Sequence, residues 1–202
     1  MPTIHTAEAS PQVTVVVEGR SLLAVGGLDE LAAAYPSARL RRWPGVLTPP
    51  LLNPYGPELL EQTYHPDPRE AAQLGTEPLT GAALDRLEMD EARWGASARR
   101  GLQRMLAHGT VAVAGALSRP SVVDAARRSG LILAGRAARP DGVPSLDPYA
   151  TGGPPVHLHP PREGGPARFA VFDVPSEPEL ARRGAATCVA TVLDGRLVFR
   201  RR

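Results

Sequence analysis

His157 and His159 stand two residues apart in the run Val156-His157-Leu158-His159. On an extended strand such residues point to one face, so both imidazoles can reach a single metal ion. Pro154-Pro155 and Pro160-Pro161 bracket the pair, and no third ligand is adjacent. The pair therefore reads as two surface-loop histidines, with metal binding as the alternative. Tyr55, Glu58 and Glu61 recur at helical spacing and supply a second pattern, a carboxylate pair suited to acid–base chemistry. Charges spaced this way are ordinarily a solvated helix face, and that reading is taken here. His65, in Tyr64-His65-Pro66-Asp67-Pro68, reads as part of a turn stabilised by Asp67 rather than as a catalytic base. His108 is placed to bond the carbonyl end of a helix. Cys188, the only cysteine, lies in an apolar, β-branched run and reads as a small buried side chain, which also excludes an internal disulfide. Gly152-Gly153 and Gly164-Gly165 lack a following helix with Lys or Ser/Thr, so no phosphate loop is indicated. These patterns assign no catalytic, cofactor-binding or metal-binding residue.

The elements that must position these groups follow from periodicity. Val13–Val17 and Ser21–Val25 flank Glu18-Gly19-Arg20 and predict a hairpin. Arg39–Trp43 alternates and predicts another strand. Apolar residues at Leu84, Leu87, Trp94, Ala98, Leu102, Met105 and Leu106 fall on one helical stripe. They predict one long helix, started by Thr80 and stopped near Gly109. Thr110–Ala114 predicts a buried strand, Pro120–Gly130 a helix closed by glycine, and Leu131–Ala134 a further strand, together a right-handed β-α-β unit. Residues 136–165 hold seven prolines and five glycines and predict a connector with little regular structure. Ala167–Val174 restarts the β pattern. Asp194-Gly195, between two apolar runs, predicts a closing hairpin.

Composition limits the function. All 23 basic residues are arginine, the formal net charge is +2 and aromatic residues make up 4%. The arginines are scattered and no recognition motif interleaves them with aromatics, so nucleic-acid binding is not the expectation. Arg200-Arg201-Arg202 is the nearest approach to a basic tail and reads as a solvated end. No apolar stretch approaches the roughly 20 residues of a membrane span, and no leader pattern is seen at the start. A soluble, cytoplasmic protein is expected. The 202 residues fall short of the ~250 of a complete (β/α)8 barrel.

Several segments, taken in order, resemble the amidohydrolase superfamily, in particular its aminodeoxyfutalosine deaminase and imidazolonepropionase-like branch. Pro44-Gly45-Val46-Leu47-Thr48-Pro49-Pro50-Leu51-Leu52-Asn53 is similar to the lead-in to the family's first barrel strand. Arg100–Val113 resembles the next helix and second strand. Phe169–Asp173 and Val192-Leu193-Asp194-Gly195-Arg196-Leu197-Val198 resemble the closing strands of the family's small β-sandwich, the composite domain. The N-terminal hairpin looks like the first strands of that sandwich, and with it the resemblance extends over about two thirds of the chain. In the family the lead-in ends in a His-x-His pair that holds the catalytic metal. Here Tyr55 and Pro57 stand at those positions, and the segments bearing the later metal-binding histidines and the essential aspartate are missing.

The resemblance implies a mixed α/β fold. A composite β-sandwich is expected from residues 1–46 and 166–202, with a partial barrel over 47–135 and the connector over 136–165. The expected function is that of a truncated, catalytically silent relative acting as a binding or accessory protein, without cofactor or metal. The alternative is a hydrolase of C–N bonds in small cyclic or nucleoside-like substrates that uses replacement ligands, with His157 and His159 as first candidates. An arginine-rich anion or nucleic-acid binder is a third reading. Expected partners are a second copy of the chain or a complete amidohydrolase covering the open barrel edge, and a small-molecule ligand is compatible with either.

Overall fold

A computed structural model describes residues 1–135 and 140–201. Its strands are β1 (Thr3–Ala7), β2 (Thr14–Glu18), β3 (Ser21–Gly26), β4 (Arg39–Trp43), β5 (Val46–Thr48), β6 (Leu51–Asn53), β7 (Thr110–Ala114), β8 (Ile132–Ala134), β9 (Val156–His157), β10 (Phe169–Phe172), β11 (Cys188–Leu193) and β12 (Arg196–Arg200). Its helices are α1 (Leu28–Ala34), α2 (Gly56–Leu60), α3 (Ala71–Leu74), α4 (Gly81–Asp85), α5 (Glu91–Leu106), α6 (Pro120–Ser129) and α7 (Glu177–Arg183). The fold is mixed α/β, and the described residues form three four-stranded sheets.

Two of the sheets stack on each other. The first runs β3-β2-β1-β4 and the second β12-β11-β10-β5. Alternation turns every second residue inward. Val15 and Val17 of the first sheet thus meet Phe169, Val171, Ala190 and Val192 of the second in one buried cluster, completed by Trp43 and Leu47. The outer face of the first sheet is closed by Leu31 of α1 against Ile4 and Val16. The tips of two hairpins also meet: the Asp194 carboxylate accepts bonds from Arg20 (2.5 Å) and Arg168 (2.6 Å). The Arg168 bond is the main reason that carboxyl lies below the usual range.

The third sheet runs β8-β7-β6-β9, with β6, β7 and β8 parallel and β9 antiparallel on the outer side of β6. Pro49 and Pro50 cannot donate to a ladder. They break the run from Val46 to Asn53 in two, so β5 pairs with β10 while β6 pairs with β7. Helices α5 and α6 pack on each other and on the third sheet in one cluster that joins Trp94, Ala98, Leu102 and Met105 with Val122, Ala125 and Ala126 and with Val113 of β7. Thr191 of β11 donates to the Leu106 carbonyl at the end of α5 (2.7 Å), tying this layer to the second sheet.

Several expectations change. The single long helix is two, α4 and α5, separated by residues 86–90. Asp90 adopts extended backbone and its side chain accepts from the Arg93 N–H at 2.7 Å, so it starts α5 as an N-cap; Thr80 makes no side-chain cap. Strand β1 is additional to the strands that the periodicity predicts. The connector contains a 3-10 turn at Pro148–Ala150 as well as β9, and its residues 136–139 lie outside the described residues. Arg200 is not a tail residue but the end of β12, and Arg201 donates to the Ala186 carbonyl; Arg202 is outside the described residues. Among the described residues no helix is long and apolar enough to cross a membrane.

The corner between β4 and β5 depends on Gly45. Its φ is +69°, and a Cβ there would lie 1.9 Å from the Phe172 carbonyl oxygen. Gly45→Ala is expected to lower stability by at least ~2 kcal/mol, read as a shift in the denaturation midpoint at unchanged slope.

Candidate functional site

In parallel sheets ligands gather at the carboxyl ends of the strands, and β6 brings Asn53 and Tyr55 there. Asn53 is fully buried. Its Nδ2 donates to the Ser145 carbonyl (2.7 Å) and its Oδ1 accepts from the Tyr55 N–H (3.0 Å). Tyr55, also buried, donates its phenol to the Asp141 carbonyl at 2.6 Å. The backbone then turns at once into α2. A Cβ on Gly56 would lie 2.8 Å from the Ala114 carbonyl oxygen, so the helix start sits directly on the end of β7. The ends of β6 and β7 are thus occupied by side chain, helix start and connector. At the two positions singled out by the resemblance stand a phenol engaged with the backbone and a proline in the first turn of α2.

Beside this end lies an open groove of about 1150 Å³, bordered by Glu58, Glu61, Leu84, Trp94, Arg119 and connector residues 143–147. The expectation of a solvated carboxylate face is corrected here. Glu58 is buried, 6% exposed. The Glu61 carboxylate accepts from the Ser118 N–H (2.7 Å), the Ser118 hydroxyl (3.0 Å) and the Arg119 N–H (2.6 Å). It fastens α2 to the start of α6 rather than standing ready as a base. Tyr55 does not join these carboxylates in one constellation, because its hydroxyl is engaged by Asp141.

The histidines are separated. His65 is fully buried: its backbone N–H donates to Ser97 Oγ (2.9 Å), Arg100 Nε donates to its carbonyl (2.7 Å), and its Nε2 bonds the Leu59 carbonyl (2.9 Å). It is a core residue rather than a turn residue, and only the Asp67 part of that expectation holds. Asp67 accepts from the Arg69 N–H and caps the short turn that follows. His108 Nδ1 bonds the Arg104 carbonyl at 2.8 Å, at the end of α5 as expected. Cys188 is buried, and burial pushes its thiol up to about 11, which leaves little thiolate for nucleophilic chemistry.

His157 lies on β9, opposite Leu51. Its Nδ1 is 3.2 Å from the Pro49 carbonyl and its Nε2 is 3.2 Å from the Tyr149 hydroxyl. A carbonyl only accepts, so Nδ1 is the donor to Pro49, and in the neutral ring this leaves Nε2 to accept from the phenol. Burial, helped by Asp147 and Glu177, pushes that phenol up to about 12. Both ring nitrogens are engaged within the chain. His159 is exposed, two residues further along. Among the described residues no group of three or more His, Cys, Asp and Glu side chains is placed to hold a metal ion.

One ionisable network was not visible in the sequence. Tyr64 donates to Glu70 (2.5 Å), Arg93 bonds Glu70 (2.9 Å) and the Tyr64 oxygen (3.2 Å), and Arg100 pairs with Asp67 (3.3 Å). The Tyr64 bond is the main reason the Glu70 carboxyl falls below its ordinary value. The network fastens segment 64–70 to α5.

No protein-family model and no curated protein matches the sequence. Among solved structures the chain is similar to ochratoxinase of A. niger, with 16% identity and a TM-score of 0.42 over 68% of this chain and 32% of that one. It is also similar to guanine deaminase from Bradyrhizobium japonicum, with 16% identity and a TM-score of 0.38 over 70% and 31%. The chain spans about a third of the length of each.

Two outcomes follow from the site geometry. Tyr55→Phe is expected to cost about 1 kcal/mol and to speed hydrogen exchange in residues 141–151, with the strands of the stacked sheets unaffected. The second concerns acid. Burial holds both His5 and His65 down to about 4, below the ordinary value near 6.5, so the fold favours the neutral rings. That stability is complete above pH ~6.5 and is lost as pH falls through about 4, since the unfolded chain takes up the protons first. Melting temperature is expected to fall over this window, and less steeply in His5→Gln.

Proposed function

We propose that the chain is a truncated amidohydrolase-like scaffold that acts as a binding or accessory protein without metal-dependent catalysis. Residues 1–46 and 166–202 would form its composite domain, residues 47–135 a partial barrel and residues 136–165 the connector. Support comes from the order of the resembling segments along the chain. Stacked sheets drawing on both chain ends, with a parallel β6–β7–β8 layer between them in sequence, agree with that order. The observation that carries the reading is the bond from Tyr55 to the Asp141 carbonyl, at the strand end where the family resemblance expects a metal-binding histidine. Family hydrolysis needs a metal to lower the pKa of bound water to ~7. Asn53, Tyr55 and Glu61 are engaged with backbone groups instead.

In this reading β8, whose Leu133 is 39% exposed, is the open edge of the partial barrel. A second copy or a complete amidohydrolase would cover it. The test is metal content and turnover. The purified chain, incubated with zinc and then dialysed, is expected to retain far less than one zinc per chain by elemental analysis. It is also expected to release no ammonia from guanine, the substrate named for one structural neighbour. Near-stoichiometric zinc that disappears in a His157→Ala/His159→Ala variant, together with turnover, would replace this reading by the hydrolase alternative.

A further inference from the structure

Arg39 and Arg41 lie two apart on β4 with Trp43 next in the same alternation, so all three share one side of an edge strand. Arg200 ends β12, the edge strand of the other stacked sheet, and reaches the same indole. The guanidinium carbon of Arg41 is 5.4 Å from the Trp43 ring centre and that of Arg200 is 5.9 Å. The indole is fixed in turn: its Nε1–H donates to His5 Nδ1 at 3.2 Å. His5 is a neutral ring, so it adds no charge of its own.

Carboxylate pairing divides the described arginines, and this cluster falls among the unpaired ones. Arg20, Arg93, Arg100, Arg119, Arg128, Arg168 and Arg182 each lie within 4.0 Å of a carboxylate oxygen. Among the described residues, Arg39, Arg41 and Arg200 form no such pair. Two positive charges, Arg41 and Arg200, thus converge on one ring and Arg39 lies close enough to act on Arg41, with no carboxylate of the described residues in salt-bridge reach. Their mutual repulsion adds to partial burial in lowering the Arg41 guanidinium from its ordinary value. An arrangement of this kind is stabilised by a counter-anion, and planar guanidinium forks match the oxygens of a tetrahedral oxyanion. Trp43 is only 5% exposed beneath the guanidiniums and offers no face for a nucleobase to stack on.

We infer that Arg39, Arg41 and Arg200 form a binding site for a phosphate-class oxyanion, either free phosphate or the phosphoryl group of a small ester. The site is independent of the scaffold reading above and stands whether or not the chain is a hydrolase.

The test is calorimetric titration of inorganic phosphate, and separately of glycerol phosphate, into the full chain in a low-salt buffer free of phosphate. One saturable site is expected, weakened at least about tenfold by Arg41→Gln and by Arg200→Gln. Arg39→Gln, an exposed position, serves if either variant fails to fold. Arg128→Gln, on α6 and paired with Asp124, is expected to leave binding unchanged. Tighter binding of the ester than of phosphate identifies a small phosphorylated molecule as the ligand, and the reverse identifies free phosphate. Absence of saturable binding, or an equal loss in Arg128→Gln, would overturn the site. So would binding of a single-stranded oligonucleotide about a hundredfold tighter than either probe, with a steep salt dependence, because the ligand would then be a polyanion.

Discussion

Three parallel strands end side by side at Asn53, Ala114 and Ala134, and the groups seated on those ends decide what chemistry such a sheet can host. Here the seats on β6 and β7 are taken by the chain itself. Asn53 and Tyr55 hold the connector through two backbone carbonyls, while α2 rests on the end of β7. The short strand β9 lies antiparallel along β6, on the side where a closed barrel would place another parallel strand. One stretch of Pro- and Gly-rich chain thus closes an edge and occupies an end. A buried amide with both its donor and its acceptor satisfied is costly to rearrange, so this closure is part of the core rather than a loose lid.

Charge is handled in two contrasting ways. In the tie between segment 64–70 and α5, and at Asp194 between the hairpin tips, each guanidinium meets a carboxylate and acts as a structural clasp. Around Trp43 the guanidiniums of Arg41 and Arg200 converge without a carboxylate of the described residues in reach. Lysine is absent from the chain, so arginine must serve in all these places, and only geometry separates a clasp from a site. The two buried histidines go the other way: His5 and His65 are kept neutral, one beneath the indole and one beside α5, where a charged ring would cost far more than it could recover.

Local signals were legible wherever turn chemistry and periodicity agreed. The hairpin about Gly19, the strand Thr110–Ala114, the helix Pro120–Ser129 with left-handed Gly130 after it, and the Asp194-Gly195 turn all fall where the residues place them. The stripe from Leu84 to Leu106 misled because a periodic face does not reveal a break within it; Asp90 supplied the break by capping a new helix. Of the site, the engaged state of His108 and the inert thiol could be read locally, since each depends on its own helix end or strand. The burial of Glu58 and the bonds accepted by Glu61 could not, the latter because they come from Ser118 and Arg119, 57 and 58 positions away. Nor could the convergence of Arg200 on Trp43, which requires knowing which two strands lie at the sheet edges.

The most direct test of the occupied strand ends is a crystal structure grown with excess zinc, with anomalous data recorded at the zinc edge. The scaffold reading predicts no zinc peak at the ends of β6, β7 and β8, with the Tyr55 hydroxyl still on the Asp141 carbonyl. A zinc ion seated there, with the phenol displaced, would contradict it.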